Sequence, residues 1–318
     1  MWFKNLRIYR LTKTIDLSAE RLENALRPHA WTPCGAYEMS RYGWTSPLGR
    51  NGQMLTHVCA GFTMICARKQ EKILPASAVK EALEERVYEI QASQGREVFR
   101  KEKRDLKDVI LNELMPQALT RSFFIHAYFA PNQNLLIIDT ASDAKAEEFL
   151  ESLRGALGSL PVVPFACKSN ATDVMTHWLQ QHMPEGFEAD GECELRDPLE
   201  NTNVVRCKNQ ALESEEVLNH LNAGKQVIQI AVRWEDAIRC ILTEDYVVRR
   251  LRFEDIVQEQ SESDENDPAM QFDQDFAVMS LQLTTFIEAL SEAFDGMEQN
   301  EEISAVTNQG IDNDTHQE

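Results

Sequence analysis

The sequence lacks the features that identify membrane, secreted and zinc-binding proteins. No apolar run approaches the roughly 18 residues that a membrane helix needs, and cations interrupt the apolar residues near the N-terminus, unlike a signal peptide. The seven cysteines are scattered, and no two of them form a CxxC pair. We therefore expect a reduced, cytoplasmic protein with no membrane partner, no metal site and no cofactor.

Catalytic motifs are also missing. The sequence has no GxGxxG and no GxSxG, and its only GK pair is not followed by Ser or Thr, unlike a phosphate-binding loop. His177 and His182 are five residues apart on one expected helix, so they do not share the face that a two-histidine metal site needs. Cys34 has no nearby candidate base, and a buried inert thiol is its more common role. We expect no enzyme, and a hydrolase around Cys34 or the histidines is the least favoured hypothesis.

The last fifth of the chain lacks cations completely. Residues 253–318 hold 18 Asp and Glu but no Lys or Arg. Residues 122–252 hold 20 acidic and 12 basic residues, whereas residues 1–121 hold 14 acidic and 20 basic ones. The net charge of −20 therefore hides a basic N-terminal third with a net charge of +6. Such asymmetry is expected when one surface meets an anionic partner, although acidic tails are also common solubilising segments.

Two charge-rich segments between residues 76 and 116 have narrow apolar seams. Apolar residues recur every three or four positions on both sides of Gly95. The seam residues are Val79, Leu83, Val87 and Ile90, then Leu106, Ile110 and Leu114. This pattern predicts two helices joined by a short turn and projecting from a larger body as an arm.

Cations at helical spacing in and beside this arm are candidates for phosphate contacts. They are Arg96, Arg100, Lys101, Lys103 and Arg104, with Lys107 further along and Arg121 just after the arm. Arg206 and Lys208 form a second small cluster in the otherwise acidic half. Phosphate binding needs cations on one surface. The alternative is pairing within a helix, because Glu97 and Lys101 stand four residues apart.

Alternating and helical patterns on both sides of the arm predict an α+β fold, with antiparallel sheets, packed helices and the arm as an insertion. We expect a central body from residues 1–75 and 117–165, a helical tip at 76–116, a base domain at 166–297 and an acidic disordered tail at 298–318. Strands are expected at Phe62–Ala67, followed by a basic link, and at Phe123–Phe129. A helix is expected from Ser142 to Leu157.

The second half predicts another α+β unit. Three closely spaced strands are expected at Gln226–Trp234, Ala237–Thr243 and Tyr246–Phe253, as in an antiparallel meander. The acidic stretch GFEADGECELRDPLEN is expected to be irregular. Apolar residues from Phe272 to Phe294 describe one continuous helix face, which should dock on the body.

Several segments occur in an order that resembles a known family. They are WFKNLRIYRL, WTPCG, LTHV, ICARKQEKILP, GSLPVVP and SEEVLNHLNAGKQV, spread over roughly residues 2–295. They closely resemble the recombination-associated RdgC proteins. The resemblance implies a nucleoid-associated protein without known catalysis, which forms a ring-shaped homodimer around double-stranded DNA without sequence preference and restrains RecA-mediated recombination. It also implies that the dimer closes through tip-to-tip and base-to-base contacts.

The resemblance also bears on individual residues. Arg121, Lys208 and Gln210 match positions that the family implies for DNA binding. Gln117 and Asn209 stand where a cation is expected. Leu119 stands where an aromatic residue can occur, and we expect Leu119 and Phe123 at the dimer interface. The alternative function is a regulator that contacts the recombinase directly through its acidic C-terminal region.

Overall fold

The chain forms two antiparallel sheets with helices packed against them, which confirms the predicted α+β class. The computed structural model describes residues 1–13, 15–200, 202–261 and 267–298. The predicted acidic tail therefore lies, apart from its first residue, outside the described residues. Within the described part, no helix is both long enough and apolar enough to cross a membrane.

The first sheet has seven strands. They are β1 (Arg7–Leu11), β2 (Ser40–Thr45), β3 (Thr56–Cys59), β4 (Phe62–Ile73), β5 (Leu119–Ala130), β6 (Leu135–Ile138) and β7 (Val162–Pro164). Their order is β2-β4-β5-β6-β1-β7, and β3 pairs with the first residues of β4. The long strands β4 and β5 pair over their whole length, so they carry the sheet outward to the arm.

Among the described residues, this half of the chain has four α-helices, namely α1 (Ala19–Leu26), α2 (Ala76–Gln94), α3 (Arg100–Leu114) and α4 (Asp143–Leu157). Helices α1 and α4 cover one face of the sheet, where Trp44 meets Phe149 edge-on at 5.1 Å between ring centroids. The predicted limits of α4 are confirmed. The Ser142 side chain accepts a hydrogen bond from the Lys145 amide, and Gly158 follows the helix with a left-handed φ of +76°.

Helices α2 and α3 form the arm, defined here as residues 76–114, and their presence between β4 and β5 confirms the predicted helical hairpin. Gly95 ends α2 with a left-handed φ of +60°. Val79 and Ile110 are the buried seam residues, and the others are half-buried. An ion pair of 3.2 Å between Arg86 and Glu113 joins the two helices.

The second sheet has five strands, and four helices surround it. The strands are β8 (Phe187–Arg196), β9 (Val204–Cys207), β10 (Gln226–Trp234), β11 (Ile238–Thr243) and β12 (Val248–Phe253), in the order β12-β11-β10-β8-β9. The helices are α5 (Ala171–Gln180), α6 (Glu215–Asn222), α7 (Asp255–Gln258) and α8 (Pro268–Ala293). The predicted meander of β10, β11 and β12 is confirmed.

Helix α8 joins the two sheets through a shared core, so its predicted docking is confirmed. Phe276 packs against Tyr128 of the first sheet, with ring centroids 5.7 Å apart. Ten residues later, Phe286 packs against Trp234 of the second sheet at 5.4 Å. All four side chains are buried. The division of the chain into body, tip and base stays a prediction.

The expectation that residues 186–201 are irregular is wrong, because Phe187–Arg196 form strand β8 between β10 and β9. Its buried side chains, including Cys193 and Leu195, alternate with glutamates on the open face. Those glutamates pair with arginines of other strands in the sheet, as Glu194 does with Arg206 of β9 at 2.9 Å. Their charge concealed the strand periodicity.

Two other limits are also corrected. Strand β4 continues through the predicted basic link to Ile73, and β5 begins at Leu119 rather than at Phe123. Both extensions carry polar or exposed residues on both faces, so they lack the apolar alternation that identifies a strand in sequence. His182 also falls beyond α5, which ends at Gln180.

Candidate nucleic-acid interface

The first turns of α3 concentrate four of the predicted cations. Arg100, Lys101, Lys103 and Arg104 are all exposed, and no carboxylate of the described residues lies within 4.0 Å of them. The alternative pairing of Glu97 with Lys101 is therefore not formed. Cations near a helix N-terminus oppose the positive end of the helix dipole, at a cost of about 0.3–1 kcal/mol each. These cations thus lie where they do not stabilise their own helix.

Arg96 differs from its neighbours because its charge is compensated. It lies in the turn before α3 rather than on a helix, and its guanidinium donates two hydrogen bonds of 2.6 and 2.7 Å to Glu102. This pairing holds the pKa of Glu102 below its usual range. Arg96 is therefore the weakest candidate for a phosphate contact in the arm.

A second group forms where β5 leaves the arm. Leu119, Arg121 and Phe123 are alternate residues of β5, so they lie on one face of the strand. The Arg121 guanidinium stands 4.4 Å from the centroid of the Phe123 ring, and the Lys145 ammonium from α4 stands 5.2 Å from it. Two cations thus share one aromatic ring, an arrangement that orients both charges.

This group also presents apolar surface. Leu119 is 77% exposed and pairs in register with Ile73, which is 44% exposed. Phe123, by contrast, is half-buried under its two cations. Leu119 is accessible to a partner, and the role of both residues in a dimer interface stays a prediction. Lys145 was missed from the sequence because no local spacing connects α4 with β5.

The third group lies beside strand β9 of the second sheet. Arg206 donates a hydrogen bond of 2.9 Å to Glu194, which raises the pKa of the arginine. The Gln210 amide donates to Ser214 at 3.1 Å and to Glu216 at 2.8 Å. Lys208 is exposed, and no carboxylate of the described chain lies within 4.0 Å. Of the three predicted residues, only Lys208 has an uncompensated charge.

The predicted cations therefore fall in three separate places: on α3 and the turn before it, at the start of β5, and at the end of β9 and just after it. A shallow depression of about 250 Å³ adjoins the third group and is lined by both acidic and basic side chains, including Glu192, Glu194 and Arg250. In the described residues, no group of three or more His, Cys, Asp and Glu side chains is arranged to hold a metal ion.

Comparison with known proteins decides the family. A family model described as "Putative exonuclease, RdgC" matches residues 1–297. The chain belongs to the RdgC family. Among its RdgC relatives, the Recombination-associated protein RdgC of Aeromonas hydrophila is 43% identical over 301 residues, which cover 94% of this chain and 99% of the relative. The protein of the same name from Pseudomonas aeruginosa is 45% identical over 301 residues, or 94% and 98% of the two chains.

The resemblance recognised in the sequence is thereby confirmed over nearly the whole described chain. A third RdgC relative, from Tolumonas auensis, is 41% identical over 298 residues, or 93% of this chain and 99% of the relative. The name of these relatives associates them with recombination, whereas the description of the family model refers to a nuclease.

Proposed function

We propose that this chain acts in recombination as a non-catalytic protein that binds double-stranded DNA through its phosphates. In this proposal it forms a ring-shaped homodimer around the duplex and restrains RecA-mediated recombination by occupying the DNA. The observation that carries the proposal is the set of uncompensated cations on α3 and β5 in a member of a recombination-associated family. These cations persist in a chain whose net charge is −20.

The kind of contact follows from the position of these cations. Reading a base sequence requires side chains that reach base edges in a groove, usually from a recognition helix packed on its own small domain. Here the cations lie on a projecting hairpin and on a strand end. Contacts with the phosphate backbone need no such fit, so binding without sequence preference is the function that these surfaces support.

Ring closure is assigned to the arm and to the surface at the start of β5. The arm buries few of its own seam residues, and Leu119 and Ile73 present apolar side chains beside it. A second copy of the chain would cover such surface with a two-fold symmetric contact. The acidic second half of the chain would repel phosphates and so favour DNA contacts with the basic third.

Titration of duplex affinity against salt tests the DNA-binding part of this proposal. We expect log K to fall linearly with log salt, with a slope near −0.9 for each phosphate contacted. Six contacts would lower affinity about 10³-fold between 50 and 200 mM salt. Unrelated duplex sequences should give the same line. Affinity that is weak at low salt, or flat across the titration, would contradict the proposal.

The same samples can show whether the protein only binds DNA or also cuts it. This question arises because the family model is described as a putative exonuclease. Labelled duplexes are incubated with the protein and Mg²⁺, and strand lengths are then measured on a denaturing gel. The proposal predicts strands of unchanged length at every time point. Progressive shortening from an end would show that the protein is an exonuclease and would overturn its non-catalytic part.

A further inference from the structure

The face of β4 and β5 opposite Arg121 carries an aromatic and cationic stack with no assigned role. The Arg68 guanidinium lies 3.5 Å from the centroid of the Trp31 ring and 5.3 Å from that of Phe124. Its Nε and Nη2 atoms donate hydrogen bonds of 3.2 and 3.0 Å to the Ser122 hydroxyl. Arg68 is therefore held in a fixed plane between two rings.

The close approach of two backbone segments, at Gly43 and Trp31, makes this stack possible. Gly43 of β2 pairs with Arg68, and a Cβ atom at Gly43 would lie only 2.7 Å from the Trp31 Cα. The Trp31 amide also donates a hydrogen bond of 2.7 Å to the Trp44 carbonyl. Only glycine at position 43 lets the Trp31 segment lie directly on the sheet, where its ring covers one face of the guanidinium.

The outer part of the stack is open. Phe124 is 51% exposed, whereas the next residue of β5, Ile125, is buried. Within the described chain, no carboxylate lies within 4.0 Å of Arg68. A half-exposed aromatic ring beside a fixed guanidinium that no carboxylate of the described chain neutralises is a combination that can bind a base together with its phosphate.

We propose that Trp31, Arg68 and Phe124 form a binding site for an unpaired nucleobase, which stacks on the open face of the Phe124 ring. In a duplex the faces of the bases are occupied by their neighbours, so this site would select single-stranded segments. The inference rests on the proposed DNA-binding function and extends it from phosphates to bases. A contact between two copies of the chain is the competing occupant of this face, and the measurements below include it as an outcome.

The test compares two single strands of equal length and charge, a short thymidylate strand and an abasic strand. Because both carry the same phosphates, the ratio of their affinities isolates the contribution of the bases at any salt concentration. We expect the wild-type protein to bind thymidylate about tenfold more tightly than the abasic strand, as one stacked base contributes. Equal affinity for the two strands would overturn the inference.

Three substitutions at Phe124 separate stacking from apolar contact. Phe124→Ala and Phe124→Leu should both reduce the preference to about twofold or less, whereas Phe124→Trp should retain it. Leucine keeps apolar surface but has no ring, so a preference that survives in Phe124→Leu would contradict stacking. Duplex affinity should remain within about twofold of wild type in all three variants, because they remove no cation.

Parallel measurements distinguish failure of this inference from failure of the proposed function. Normal duplex binding without a preference for thymidylate would contradict the inference but not the proposed function. A preference for thymidylate without salt-dependent duplex binding would contradict the proposed function and support the nucleobase site. If Phe124→Ala changes the mass in solution but leaves the strand preference intact, the face joins two copies of the chain and the inference is wrong.

Discussion

Phe276→Ala is expected to lower the free energy of unfolding by about 3–5 kcal/mol, the usual cost of removing a buried phenylalanine ring. The side chain is 1% exposed and lies at the point where α8 meets the first sheet. Its ring contacts Phe62 and Tyr128, with centroid distances of 6.4 and 5.7 Å. Phe62 and Tyr128 are themselves buried, so the surrounding core can relax only partly into the cavity.

Unfolding in urea, followed by circular dichroism, measures this effect. Leu281→Ala is the matched control, because Leu281 lies on the same helix but is 54% exposed, and a change within about 0.5 kcal/mol is expected there. Since α8 packs on both sheets, Phe276→Ala should shift the whole transition rather than split it. A loss below about 1 kcal/mol would mean that α8 does not join the two sheets as described.

Replacing Lys101, Lys103 and Arg104 together with glutamate is expected to weaken duplex binding strongly. If each of the three contacts one phosphate, the slope of log K against log salt becomes less negative by about 2.7. The fold of the arm should not suffer, because glutamates in the first turns of α3 are favourable to the helix dipole. An unchanged far-ultraviolet circular dichroism spectrum of the triple variant would show that the loss does not come from unfolding of the helix.

The salt slope distinguishes contacts from long-range repulsion. Arg154→Glu is the control, because Arg154 is an exposed cation in the last turn of α4, a helix that packs on the first sheet. Its reversal should lower affinity slightly and leave the slope unchanged. If the triple variant keeps both the affinity and the slope of the wild-type protein, the α3 cations are only a solvated surface, and the account of the arm is wrong.

The elements that could be predicted from the sequence are those whose signals are local. Helix α4 has a capping serine, an apolar face and a closing glycine, so its limits follow from residues 142–158 alone. Helix α8 follows from its long apolar face. Strand β8 could not be predicted, because its glutamates are balanced by arginines from strands distant in the chain, such as Arg233 and Arg250.

In the candidate interface, too, only the local patterns could be predicted from the sequence. The cations of α3 follow one another in sequence, so their common surface was predictable. Lys145 joins Arg121 only because α4 packs beside β5, and Arg68 meets Trp31 only because Gly43 allows two segments to approach. Contacts of this kind depend on tertiary packing and leave no periodic signal in the chain.

The charges of the arm indicate which part of it can contact phosphates. Residues 68–121 hold 12 cations and 10 anions, and the arm itself, residues 76–114, holds 8 cations and 9 anions, so the arm as a whole is not basic. Its uncompensated cations are concentrated at the N-terminus of α3, whereas its other charges include pairs such as Lys80 with Glu84 at 3.5 Å. This balance supports the proposal that the arm closes a ring through its apolar surface, while a small part of it contacts phosphates.

The central claim is that two copies of the chain form a ring around duplex DNA. The most direct test compares how long the protein stays bound to closed-circular and to linear duplex. Protein is bound to both forms at low salt, the salt concentration is raised, and the bound fraction is followed with time, while the mass without DNA is measured in parallel. The account predicts a dimer of twice 36.4 kDa that stays on the circle and slides from the ends of the linear duplex. A monomeric mass, or equal loss from both DNA forms, would contradict it.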